Sequence, residues 1–202
     1  MRIIKPGKKA LSSNIKTLLA CCLLAASSVS IADSQTTWFG EVADGEWLAG
    51  IKLGSAAPDL DGYDTAPMAT VLVGYQFSRP AGDRGRSSLE FEFSTTDDAD
   101  IKPVGFNGPG EYDMHTFGVF FNYRSPGTVY FKGKLGLLDS NIDTRYNSGE
   151  NVKSNDAALA LGLGFGVRLG GNDGRTTLEG EWVTTSGDND INFYNLGANI
   201  EF

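Results

Sequence analysis

DINFYNLGANIEF (190–202) ends the chain and decides how the rest is read. Tyr194, Leu196, Ala198, Ile200 and Phe202 form an apolar row at period two, and Asn195, Gly197, Asn199 and Glu201 fill the alternate positions. A strand points successive side chains to opposite faces, so this segment has one greasy face and one wet face. A soluble sheet shows the same alternation. The terminal aromatic, with no polar tail behind it, points instead to a membrane barrel that places aromatic residues in its interfacial girdle.

Working outward, seven further segments alternate in the same way. They cover 46–55, 68–77, 87–96, 112–124, 128–138, 156–170 and 176–186. In SSLEFEFSTT (87–96), Leu89, Phe91 and Phe93 alternate with Ser88, Glu90, Glu92 and Ser94. A helix would repeat its apolar face near 3.6 residues, so this contrast excludes one. Membrane strands need roughly 9–11 residues, whereas globular strands usually stop near 5–6. The links at 56–67, 97–111 and 139–155 are longer and polar, and those at 78–86, 125–127 and 171–175 are mostly short turns. That rhythm fits long external loops and short periplasmic turns; the brief link at 187–189 departs from it. The expected fold is all-β: an eight-stranded antiparallel up-and-down transmembrane β-barrel over 46–202. A soluble secreted β-sandwich is the competing architecture.

Charge placement separates an inside from an outside. Opposite the apolar rows lie Lys52, Glu90, Glu92, Arg124, Lys132, Lys134, Arg168, Glu179, Glu181 and Glu201. A Lys or Arg at the lipid midplane costs about 2–4 kcal/mol, so these groups belong on the lumen side. An eight-stranded barrel has a lumen just wide enough for side chains to fill. Balanced acids and bases across it predict a plugged interior. The small residues of strand 156–170 (Ala158, Ala160, Gly162, Gly164, Gly166) are expected to leave room for long side chains from the opposite wall. Phe120 and Leu138 fall on the inward rows and are read as apolar plug contacts near a rim.

Residues 1–32 read as an export signal. Arg2, Lys5, Lys8, Lys9 and Lys16 precede an apolar run from Leu18 to Val29, and Ser30-Ile31-Ala32 supplies small residues for cleavage. Residues 33–45 are then a periplasmic lead-in. Leu18-Leu19-Ala20-Cys21 has some likeness to a lipoprotein cleavage box, but it leaves too short an apolar region before the cut. Cys21 and Cys22 are the only cysteines, so cleavage after Ala32 leaves no thiol chemistry. It also leaves 12 of the 17 Lys+Arg against 25 Asp+Glu, which argues against a nucleic-acid partner.

With these residues in place, the chain resembles the small outer-membrane β-barrel family, which includes outer-membrane protein A-like transmembrane domains and opacity-type surface antigens. The resemblance rests on eight alternating strands, GLGFGVRLG (162–170) and the LGANIEF ending over about 46–202. It implies a bacterial outer-membrane location, contact with outer-membrane lipid and lipopolysaccharide, and recognition of the row Tyr194, Leu196, Ala198, Ile200, Phe202 by the barrel-assembly machinery. It also implies a monomer with a structural or surface-interaction role through its external loops. A narrow porin for small solutes is the alternative the same family allows.

Catalytic, cofactor and metal sites are not expected. His115 is the only histidine and lies near Asp113, with no Ser or Cys pairing legible from spacing. The aspartates at 59, 61, 64, 97, 98 and 100 lack the regular ligand spacing of a calcium loop and read as a solvated rim.

Overall fold

Alternating rows fold into strands that pair edge to edge until the sheet closes on itself. The structure, a computed structural model, describes residues 45–77, 85–104, 108–171, 174–187 and 189–202. The strands are β1 (Glu46–Pro58), β2 (Ala66–Gln76), β3 (Arg86–Thr96), β4 (Ala99–Ile101), β5 (Gly110–Arg124), β6 (Val129–Tyr146), β7 (Asn151–Leu169), β8 (Thr176–Ser186) and β9 (Ile191–Glu201). Each long strand pairs antiparallel with its sequence neighbours, and β3 pairs β5 directly. The β1–β9 pair closes the ring. Eight strands therefore form the barrel, and the three-residue β4 is an extra strand on the end of β5. No helix among the described residues is long and apolar enough to cross a membrane, which leaves open a crossing by strands.

The seam joins the first and last strands. Leu53 lies opposite Leu196, and Leu48 opposite Glu201. Trp47 and Phe202 then exchange backbone N–H···O bonds of 3.1 and 2.9 Å, which carries the ladder to the end of the chain. Closure leaves neither β1 nor β9 with an unpaired edge along this register, as burial in hydrocarbon requires.

The two faces have opposite chemistry. Outward rows keep large apolar side chains in contact with the surroundings; Phe131 is 78 % and Leu196 72 % exposed. Inward rows bury charge, with Lys52 at 2 % and Glu90 at 0 %. This is the reverse of a soluble protein, and burying the outer row requires hydrocarbon around the barrel.

The strands overrun several expected ends. The polar link expected at 139–155 is mostly a continuous β6–β7 ladder, reaching Arg145 opposite Asn151. Its turn is confined to a few residues, with Tyr146 N–H donating to the Glu150 carbonyl at 2.9 Å. Polar composition suggested a loop. Above the apolar band, however, a strand can be polar on its outer face without cost, while Ser140, Ile142 and Thr144 still point inward and are buried. The loop expected at 97–111 likewise contains β4, whose Asp100 lies opposite Glu111. The expected export segment, the lead-in up to residue 44, Cys21 and Cys22 lie outside the described residues.

Candidate functional site

The lumen is filled in two layers. Nearer the termini and the short turns, β1, β3, β5, β6 and β8 each send charged side chains inward at period two. Lys52 Nζ lies 2.7 Å from Glu92 Oε1 and 2.5 Å from Glu181 Oε1. Lys134 Nζ joins the same two carboxylates at 2.6 and 3.4 Å. Lys132 Nζ lies 2.8 Å from Glu179 and 3.0 Å from Glu181, linking this group to the next. Arg124 Nε sits 2.6 Å from Glu179 Oε1, and its Nη2 lies 2.8 Å from Glu90 Oε1. The Tyr130 hydroxyl donates to Glu179 at 2.6 Å, and the Ser88 hydroxyl donates to Glu90 at 2.7 Å.

Four cations and four carboxylates thus form one buried, charge-balanced network. The other two charges named from the sequence have further partners. Glu201 pairs with Arg86, and Arg168 donates to the Gly127 carbonyl while lying 4.3 Å above the Tyr130 ring. Burying a lone charge costs several kcal/mol, so each member depends on its partners.

The second layer is apolar and lies toward the loop end. Met68, Tyr112, Met114, Phe120, Leu138, Ile142, Val183, Ile191 and Phe193, with small residues Ala56, Ala66 and Ala160, form one buried cluster. Ala99 and Ile101 of β4 cap it, and Tyr63 packs against it. The rings of Tyr63 and Tyr112 lie 4.9 Å apart, and the Tyr112 hydroxyl donates to the Asp64 carbonyl at 2.5 Å. Phe120 is the joint between the layers: Lys134 Nζ stands 3.8 Å from its ring centre. Its ring lies where side chains of Gly118 and Gly136 would be. A Cβ there would come within 2.2 and 2.5 Å of it, so both glycines are required by packing.

The sequence places the charged rows, with Ser88 among them, but Arg86 as an inward charge and Tyr130 as a partner of Glu179 were not read from it. Arg86 continues the period-two row of Ser88, Glu90 and Glu92, a signal hidden by assigning it to the preceding turn. The small residues of β7 leave room for side chains of the adjoining strands, Gly166 for Tyr130 of β6 and Gly164 for Glu181 of β8.

On the outside, His115 Nδ1 and the Thr95 hydroxyl share a 3.0 Å hydrogen bond, and Asp113 lies 3.6 Å from Nε2. Thr95 is buried, and Asp113 is already engaged by Arg145 at 2.9 Å. Among the described residues no group of three or more His, Cys, Asp or Glu is placed to hold a metal ion.

A closed barrel with a greasy exterior and a charged interior is an outer-membrane protein. The chain belongs to the family described as outer membrane protein beta-barrel domain, whose profile matches residues 19–202. Its place is the bacterial outer membrane. It is similar in fold to Ail, the attachment invasion locus protein of Yersinia pestis, at 14% identity and TM-score 0.50, covering 78% of this chain and 97% of that one. Ail in complex with the heparin analogue sucrose octasulfate matches over the same shares at 15% identity and TM-score 0.51. Neisserial surface protein A matches at 11% identity and TM-score 0.51, again over 78% and 97% of the two chains. No curated protein sequence matches the chain.

Proposed function

We propose that the protein is a sealed monomeric barrel that presents its outer end for surface interaction and supports the outer membrane, and that it is not a porin. The observation that carries this reading is the double filling of the lumen. Each cation of the ion network lies against a carboxylate. The apolar layer above it offers ions no hydration, and hydrophobic constrictions of that kind block conduction by excluding water. The fold likeness to an attachment protein and a surface protein supports the surface role.

The outer end differs from what a sulfated ligand would need. Beyond the apolar band, the cations among the described residues are Lys102, Arg145 and Lys153. Lys102 pairs with Asp64, Arg145 with Asp98 and Asp113, and Lys153 with Asp143. The remaining charged groups of the loops there are acidic, including Asp59, Asp61 and Glu150. A cationic or neutral partner therefore fits this surface, and the heparin analogue bound by Ail does not carry over. Residues 1–32 serve in this reading as the export signal. The outward row Tyr194–Phe202 beside the seam serves as the strand read by the assembly machinery, and lipopolysaccharide surrounds the outer half.

Proteoliposome swelling tests the reading. Vesicles holding the folded protein should swell in arabinose at the rate of empty vesicles, whereas rapid swelling would establish the porin alternative. On immobilised heparin at physiological salt the protein should flow through; retention would contradict the charge assignment.

A further inference from the structure

We propose that the lumen face of the β1–β9 seam is a latch, in which interlocked side chains fix the register of the closing strand and two ion pairs across the seam hold the ring shut. Three successive inward pairs along the seam are Gly50 with Asn199, Lys52 with Gly197 and Gly54 with Asn195. Each pair holds one glycine, which lies on β1, then β9, then β1 again. A Cβ at any of the three would come under 3.0 Å from the partner's side chain, Asn199 at Gly50, Lys52 at Gly197 and Asn195 at Gly54. Each long side chain therefore crosses the seam over the notch its glycine leaves.

This interlock admits one register. A slip by one residue turns every inward side chain of β9 outward. A slip by two, in either direction, sets Gly197 against Gly50 or Gly54 and sets Lys52 against Asn195 or Asn199. The notches then face each other, and the long side chains meet head-on.

The ion pairs depend on closure itself. The stem of Lys52 runs over Gly197 and past β9, so its Nζ reaches Glu181 Oε1 on β8 at 2.5 Å. From the other side, Arg86 of β3 pairs with Glu201 of β9. All four residues are buried. In an open sheet of the same strand order, six strand spacings separate β1 from β8, and five separate β3 from β9. At ~4.8 Å per spacing that is roughly 24–29 Å, far beyond the reach of an ion pair. These two bridges therefore exist only in the closed ring. The Arg124–Glu90 pair, on the adjacent strands β5 and β3, needs no closure. The lumen charges thus divide into those that fill the tube and those that also fasten its seam.

Hydrogen–deuterium exchange of the folded protein in detergent micelles tests the latch. Glu201→Gln should speed amide exchange at 47–53 and 195–202 about tenfold, as expected when a hydrogen bond to a charged group is lost at a segment that opens locally. Exchange in the β5–β6 ladder should stay as in wild type. The charge swap Arg86→Glu with Glu201→Arg should restore slow exchange at the seam. Glu90→Gln weakens a pair away from the seam, so it should speed exchange in β3 and β5 and spare the seam. Gly197→Ala crowds the Lys52 stem and should open the same seam amides as Glu201→Gln. It decides the matter if Glu201→Gln lacks the heat-dependent gel shift of a folded barrel. Unchanged seam exchange in the folded variant would overturn the proposal, as would a rise spread evenly over all strands or a charge swap that leaves the seam fast.

Discussion

The two layers of the lumen seal the same tube by opposite means. The lower one, from Lys52 to Glu181, fills it with charges that cancel; the upper one, around Phe120 and Phe193, fills it with side chains that exclude water. The charged layer depends on complete pairing, because one missing partner strands a buried charge. The apolar layer depends on volume, and a smaller side chain leaves a hole whose cost depends on how far its neighbours relax. Sensitivity in the first layer is therefore electrostatic and shared through a network, and in the second it is steric and local.

The comparison breaks most visibly at Glu179, which touches Arg124, Lys132 and Tyr130. Glu179→Ala should cost about 3–5 kcal/mol, the usual loss when one member of a buried ion pair is removed. Urea titration of the folded barrel in detergent micelles checks it. A loss below 1 kcal/mol would show that water compensates these charges and that the layer is wet. In the apolar layer, Phe120→Ala should cost about 3–4 kcal/mol in the same titration. It should also open the joint above Lys134 without disturbing the ion pairs below. On the outer wall, Leu163→Arg sharpens the contrast from outside: a cost of about 2–4 kcal/mol marks the lipid midplane, and near zero would place this row at the interface. Lys153→Ala gives the smallest effect, about 0–1 kcal/mol, since its pair with Asp143 is exposed.

Much of this was legible in the sequence, and the limits have physical causes. Period-two alternation shows which residues share a face, and a charge at an inner position shows which face is wet or paired. Lys132 and Lys134 opposite Phe131 and Leu135 need no coordinates to be assigned. The apolar layer was harder to read. Ile191 and Phe193 continue the inward row of Asn195 and Asn199, yet an apolar residue facing the lumen looks like one facing lipid. Phe120 and Leu138 stood out only because their strands were long enough to fix the row. Met68, Met114 and Ile142 lie toward strand ends, where polar neighbours masked the alternation. The β6–β7 extension was missed for the related reason that a strand surrounded by water needs no apolar outer face. Cross-strand partners, such as Lys52 with both Glu92 and Glu181, depend on register and closure, which no single stretch contains.

The central claim is that the tube is shut, and single-channel recording of the folded protein in a planar bilayer tests it most directly. The two sealed layers predict a bilayer that stays at baseline current, with no stable open level over a physiological voltage range. A steady, large conductance from the folded wild-type barrel would contradict the account.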